Sequence, residues 1–123
     1  MNRRPLRAHD YLEHMLDAAK AIRQFMLGDS EEEFFSDRKT RDAVVRNIEI
    51  LGEAAKMFSD ALPDAASRFP AIDFRIMYAT RNRMIHAYAF INFTIVYEIA
   101  VKDIPSLISA IEAALANWPS DLS

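Results

Sequence analysis

The chain has 123 residues, of which 51% are hydrophobic and 27% are charged, and its formal net charge is −3. This length fits a single domain over residues 1–123, and the composition excludes a disordered chain. The sequence contains no cysteine and only two glycines, which excludes disulfides, thiolate chemistry and glycine-rich phosphate-binding loops.

Two features missing from the sequence indicate where the protein is located. No stretch approaches the roughly 18 apolar residues of a membrane span, and the first residues lack the apolar run of a signal peptide. We therefore expect a cytoplasmic protein with no membrane partner. The acidic balance also argues against a broad basic surface for nucleic acid, so any such contact would be local.

The first predicted helix runs from about Pro5 to Leu27, and Gly28 is placed to stop it. Residues Asp29–Phe35 are acidic and then aromatic, which predicts a connector or a short turn of helix that holds Phe34 and Phe35 against the core. The apolar residues of the first helix recur at helical spacing on one face: Tyr11, Met15, Ala18, Ile22 and Phe25.

A second helix is predicted from about Asp37 to Leu62, capped by Ser36 or Asp37 and ended by Pro63. Gly52 in its middle costs about 1 kcal/mol relative to alanine, so we expect another element to approach closely there. The apolar stripe of this helix consists of Val44, Ile48, Leu51, Ala55 and Phe58.

After a loop through Pro70, Asp73 is a plausible cap for a third helix, and Asn92 for a fourth. The run Asp103–Pro105 predicts a break and a fresh helix start. Apolar residues recur at helical spacing on each of these helices. They are Phe74, Tyr78 and Ile85 on the third, Val96 and Ile99 on the fourth, and Ile104, Ile108, Ile111, Leu115 and Trp118 on the last. The fold class predicted is an all-α antiparallel bundle of four to five helices.

The third predicted helix carries a polar cluster, Arg81, Asn82, Arg83, His86 and Tyr88. On a regular helix Arg81 and Tyr88 share a face, but Arg81 and His86 differ by about 140°. One helix would therefore not bring the guanidinium and the imidazole to one atom. Either the helix ends near His86, or a second copy of the chain completes the site; we favour a two-fold dimer.

Arginine, histidine and tyrosine offer proton transfer and anion stabilisation without a metal or cofactor. His86 can exchange protons near neutral pH, and Arg81 can hold two phosphate oxygens. RNA brings its own nucleophile, because its 2′-hydroxyl can attack the adjacent phosphorus. Taken singly, each side chain has a simpler reading: a solvated arginine, a helix-terminal histidine and a core tyrosine.

Four residues separate Arg81 from His86, and one residue separates His86 from Tyr88. This spacing resembles the signature of HEPN-domain ribonucleases, and specifically of HepT-like toxins. The likeness extends to Asp42–Ala55 and to Asp103–Leu107, so it covers nearly the whole chain. Two departures, Phe74 where tryptophan is common and Asn92 where aspartate is expected, leave the three motif residues untouched.

This resemblance implies a homodimeric ribonuclease toxin whose antitoxin is a minimal nucleotidyltransferase encoded alongside. In the family the partner transfers AMP onto the motif tyrosine, which maps here to Tyr88, and the added charge and bulk would exclude RNA from the cleft. The alternative is a non-catalytic, nucleotide-binding or scaffolding subunit of a nucleotidyltransferase complex, in which the motif serves only an interface.

Glu49 and Glu53 stand one helical turn apart as like charges, which is mildly unfavourable unless a cation lies opposite. Arg46, Arg81 or Arg83 could supply that cation. We hypothesise that Glu53 or Glu49 orients Arg81; the alternative is a solvated acidic face.

Two further groups have weaker implications. His9 and His14 are spaced poorly for joint metal ligation, and no third ligand is evident, so we expect packing or surface residues and no metal site. The basic run of Arg38, Lys39 and Arg41 is either a solvated helix start or an extension of an RNA surface beside Arg75, Arg81 and Arg83.

Overall fold

The computed structural model describes residues 6–74 and 91–122, and every regular element in these ranges is helical, as the hydrophobic spacing predicts. The third predicted helix lies outside the described residues. In chain order the elements are α1 (Ala8–Met26), α2 (Glu31–Ser36), α3 (Arg38–Ala61), α4 (Ala65–Arg68), α5 (Phe93–Glu98), a π-helical turn (Ile99–Asp103) and α6 (Ile104–Ala116).

Helix α1 begins where the Arg7 backbone N–H donates to the Asp10 carboxylate, at 2.9 Å. It ends before Gly28, whose φ of 80° lies in the left-handed region, so the predicted stop is confirmed. The predicted stripe is buried at Met15, Ala18 and Ile22 but not at its end, because Phe25 remains 42% exposed.

Helix α2 is a six-residue helix capped by Ser30, whose hydroxyl accepts from the Glu33 backbone N–H at 3.1 Å. Six residues are too few for a helix to be stable without tertiary contacts. Phe34 provides them: it is fully buried, and its ring lies 5.4 Å from that of Tyr97. Phe35 is 37% exposed, so only one member of the predicted pair is a core residue.

Helix α3 is capped by Asp37, whose side chain accepts from the backbone N–H groups of Lys39 and Thr40. A hydrogen bond from the Thr40 hydroxyl, at 2.8 Å, and these two backbone hydrogen bonds lower the pKa of the Asp37 carboxyl. All five residues of the predicted stripe are buried, and so is Gly52. Helices α1 and α3 pack against each other along their lengths.

The expected loop before Pro70 is instead interrupted by α4. The Arg68 N–H donates to Asp64 and the Phe69 N–H to Ala65, which closes one helical turn. Ala65 and Phe69 are buried while the residues between them are exposed. A single turn shows too little periodicity to be recognised from sequence.

The predicted break at Asp103–Pro105 is wrong, because the backbone stays helical from α5 through a π-helical turn into α6. Pro105 has no N–H, so an α-helix would lose one hydrogen bond there. The Ile104 N–H donates to the carbonyl of Ile99, five residues earlier, and the helix widens without stopping.

The core of the bundle is apolar throughout the described ranges, with no buried polar or charged residue among them. Helices α1 and α6 run antiparallel, since His9 lies against Trp118 while Lys20 pairs with Glu112 at 3.5 Å. None of the described helices is both long and apolar enough to cross a membrane.

The contrast between Phe34 and Phe35 gives a test of the packing. We expect Phe34→Ala to lower the free energy of unfolding by about 3–5 kcal/mol, because it removes a fully buried ring. Phe35→Ala, a matched change on the same helix, should cost far less. Chemical denaturation of both variants measures the difference, and equal losses would contradict the assigned packing.

Candidate functional site

The polar cluster singled out in the sequence lies outside the described residues. Its members Arg81, Asn82, Arg83, His86 and Tyr88 fall between Phe74 and Ile91, the nearest described residues on either side. Their convergence on one atom, and their supply by one copy or two, therefore remain predictions. Glu53, the other residue assigned to the site, is described.

The described residues on either side of this cluster are fixed by contacts within the helical bundle. Before it, Phe74 is buried and its ring stacks on Phe58, with centroids 4.9 Å apart. After it, the Asn92 side chain accepts from the backbone N–H groups of Thr94 and Ile95 at 3.1 and 3.2 Å. The two departures from the family pattern thus fill a core position and a helix cap, as predicted.

Arg41 lies against the second of these flanks. Its guanidinium carbon is 4.7 Å from the centre of the Phe93 ring, a cation–π distance. Its Nε is buried and has no hydrogen-bond partner among the residues that the structure describes. Arg38, the first residue of the basic run, is instead solvated and lies 3.5 Å from Asp42. Arg38 and Arg41 thus lie in different environments. Whether the basic run is a solvated helix start or extends an RNA surface stays open.

A cleft of about 640 Å³ lies between α1 and α3. Its walls combine acidic, basic and apolar groups. The described lining residues are Tyr11, His14, Asp17 and Ala18 of α1, and Arg46, Asn47, Glu49, Ile50, Glu53, Ala54 and Met57 of α3. Three carboxylates against one arginine and one histidine make this a predominantly acidic recess, which suits a cationic group better than a phosphate.

Glu53 is exposed on the wall of this cleft. Within the described ranges no hydrogen bond or ion pair engages its carboxylate. Glu49, one turn earlier, has Arg46 at 3.8 Å, so one of the three predicted cations does offset the like-charge pair. Arg46 is 70% exposed and holds Glu49 weakly. The carboxylate of Glu53 is thus available to a guanidinium.

A possible cation site occurs at the start of α1, where ligand atoms of His9, Asp10 and Glu13 lie within 4.8 Å of one another. His14 is not part of this group, so the two histidines do not share a ligand set, and His9 packs edge to face against Trp118. Local contacts already use this group: His9 Nδ1 lies 2.9 Å from the Glu13 carboxylate, and Asp10 accepts the Arg7 N–H.

Comparison with known proteins decides the family. A family profile described as ribonuclease HepT-like matches residues 15–114, from α1 through α6. The chain belongs to the HepT-like ribonuclease family. The matched span includes the predicted motif as well as Glu53, and the family fold agrees with the helical architecture described above.

Curated relatives agree with this assignment. A probable ribonuclease HepT of Thermococcus cleftensis is 37% identical over 102 residues, which cover 82% of this chain and 90% of the relative. A putative RNase of Methanocaldococcus jannaschii is 33% identical over 109 residues, covering 89% of this chain and 84% of the relative. No solved structure matches. The chain is thus a ribonuclease by family, as its sequence predicts.

Proposed function

We propose that this HepT-like ribonuclease cleaves RNA internally and without a metal ion, using Arg81 and His86 at the scissile phosphodiester. The observation that carries the proposal is the family match over residues 15–114, which spans the whole motif. The side-chain chemistry supports it, because the motif offers a proton-exchanging imidazole and a permanent cation, while the RNA substrate brings its own nucleophile.

In the proposed reaction the 2′-oxygen of one nucleotide bonds to the adjacent phosphorus, and the bond from phosphorus to the 5′-oxygen breaks. His86 acts as the general base or acid in these proton transfers. Arg81 stabilises the charge on the non-bridging oxygens. The products carry a 2′,3′-cyclic phosphate and a 5′-hydroxyl.

A second copy of the chain completes the site in this proposal. On a single regular helix Arg81 and His86 would diverge by about 140°, whereas a two-fold axis can place one group from each protomer in a shared groove. Asn82 and Arg83 then position the reacting groups and add local positive charge. This local charge makes up for the acidic balance of the chain as a whole.

Regulation by a cognate nucleotidyltransferase antitoxin follows from the same family resemblance. In this part of the proposal the Tyr88 oxygen bonds to the α-phosphorus of ATP, and pyrophosphate leaves. The resulting phosphodiester puts a negative charge and a nucleoside where an RNA phosphate would bind, so the substrate is repelled and blocked. The chain is then the toxin of a toxin–antitoxin pair.

The proposed chemistry predicts three results with an RNA oligonucleotide. Cleavage persists in EDTA, a 2′-deoxy substitution at the cut linkage prevents it, and mass spectrometry finds cyclic phosphate ends. His86→Ala should slow cleavage roughly 10²- to 10⁴-fold, the usual contribution of a general acid or base.

The same variant separates the enzyme from the alternative role as a scaffold. An enzyme loses cleavage in His86→Ala while it still binds its nucleotidyltransferase. A scaffolding subunit shows no RNA cleavage in the unsubstituted chain, and that outcome would overturn the proposed function.

Adenylylation can be tested with the neighbouring nucleotidyltransferase and ATP. We expect the mass of one AMP to be added to the unsubstituted chain and none to Tyr88→Phe, because phenylalanine has no hydroxyl to accept the phosphorus. Tyr11 or Tyr97 would gain the mass only if the proposed target is wrong. The modified chain should no longer cleave RNA.

Glu53 gives a test of the cleft. We expect Glu53→Lys to slow cleavage about 10- to 100-fold, because it replaces the carboxylate proposed to orient Arg81 with a repelling cation. Because Glu53 is exposed, the substitution should leave the free energy of unfolding nearly unchanged.

The matched control is Asp60→Lys, which makes the same charge change at an exposed position of α3 that does not line the cleft. It should cleave at the normal rate. Equal rates for the two variants would show that Glu53 belongs to a solvated acidic face.

A further inference from the structure

One face of α3 carries charged residues that are separated by sign along the helix. Lys39, Arg46, Glu53 and Asp60 follow one another at equal intervals of seven residues, and all four are exposed. Residues seven apart lie on the same side of an α-helix, with a drift of about 20° per interval. The four side chains therefore form one line, which we call the charged line. Its first half is basic and its second half is acidic.

An apolar line runs beside the charged line with the same spacing. It consists of Ala43, Ile50 and Met57, and the side chains of Ile50 and Met57 are 37% and 36% exposed. Ile50 lies about 40° around the helix from Arg46. Arg46, Ile50, Glu53 and Met57 also line the cleft between α1 and α3. Apolar side chains at this spacing with charges alongside are typical of a helix that packs against another helix.

The charged line is complementary to itself when two copies of α3 run antiparallel. A two-fold axis beside Ile50 sets the basic half of one line against the acidic half of the other. Arg46 then lies opposite the partner's Glu53, and Lys39 lies opposite the partner's Asp60; the symmetry repeats both pairs. A parallel arrangement would bring each residue to its own copy, so like charges would meet along the whole line.

The antiparallel arrangement also supplies a cation to the acidic cleft. Among the residues that the structure describes, Glu53 has no ionic partner, and Arg46 is 70% exposed with Glu49 at 3.8 Å. The partner's Arg46 brings a guanidinium to this recess, whose three carboxylates favour a positive charge. Glu49 comes nearest to its own copy at the axis, and the two Arg46 side chains offset that approach.

We propose that α3 packs antiparallel against α3 of a second copy, with Arg46 of each copy on Glu53 of the other and with Ile50 beside its own copy at the two-fold axis. This inference rests on the proposed function for its purpose, since that function requires a second copy. The contact from Lys39 to Asp60 spans about 30 Å at the usual rise of an α-helix. Lys39 and Asp60 pair at the rim, where screening weakens them, so the inner residues carry the assembly.

Sedimentation equilibrium without RNA measures this assembly. We expect the unsubstituted chain to be a dimer. Ile50→Glu should raise the dimer Kd at least about 100-fold, because it replaces apolar contact at the axis with like charges in an acidic recess. Arg46→Glu should raise it about 10- to 100-fold, because it reverses both inner pairs.

A charge swap and a control complete the series. Arg46→Glu combined with Glu53→Arg restores opposite charges across the axis, so the Kd should return to within about fivefold of the original. Glu98→Arg reverses an exposed carboxylate on α5, which is not part of α3 or of the cleft. It should leave the dimer unchanged.

Cysteine cross-linking tests the direction of the pairing. The chain has no cysteine, so an engineered one can pair only with its own copy. Under mild oxidation Ile50→Cys should form a disulfide between the copies, since the two side chains meet at the axis and a disulfide bridges Cα atoms about 4.4–6.8 Å apart. Met57→Cys should not, because antiparallel helices separate the two copies of residue 57 by about 20 Å.

Four results would overturn the inference. They are a monomeric unsubstituted chain, a dimer that tolerates both Ile50→Glu and Arg46→Glu, a charge swap that dimerises no better than Arg46→Glu alone, and a Met57→Cys variant that cross-links as fast as Ile50→Cys. None of these measurements uses RNA. A dimer with the expected pattern that cleaves no RNA would defeat the proposed ribonuclease function and leave the interface standing, whereas a monomer that cleaves RNA would defeat the interface.

Discussion

Phe58 is the residue on which the described structure most depends. Its fully buried ring meets Phe69 and Phe74, which follow α4, and Trp118, which follows α6. An apolar ring in the last turn of α3 can gather these segments because each packs its own ring against it, and burial of aromatic surface is among the larger favourable contributions in a core. The entrance to the predicted motif is thereby tied to the long central helix.

The same helix separates two environments. One face of α3 is apolar and carries the core residues, while the other contributes Glu49 and Glu53 to the cleft with α1. Since α1 and α3 are fixed by their core faces, their polar faces are fixed too. The acidic recess is thus a consequence of how the bundle packs, and it presents carboxylates at defined positions without any polar residue being buried among those described.

Much of the fold could be predicted because apolar spacing reports directly on helices longer than three turns. Helices α1 and α3, the caps at Asp37 and Asn92, and the stop at Gly28 follow from local chemistry. Helix α4 could not be predicted, since one turn has no periodicity to read. Phe25 was expected inside and lies outside, because position along a stripe does not reveal where the neighbouring helices end.

The candidate site was only partly predictable for a similar reason. The motif could be recognised from residue types and spacing, and the family match agrees with that recognition. The contact of Arg41 with Phe93, by contrast, joins residues more than fifty positions apart. No local sequence pattern predicts such a contact, and the same is true of the ion pair between Arg68 and Asp121.

The π-helical turn has a consequence for the angular phase of the last helix. Val96, Ala100, Ile104 and Ile108 are all buried and are spaced by four residues. In a uniform α-helix each four-residue step advances about 40° beyond a full turn, so three steps would carry Ile108 about 120° away from Val96. One wide turn absorbs the excess and keeps a single side inward. The facing of α6 is therefore decided by the backbone geometry of the turn that precedes it, in which the Ile104 N–H bonds to a carbonyl five residues back.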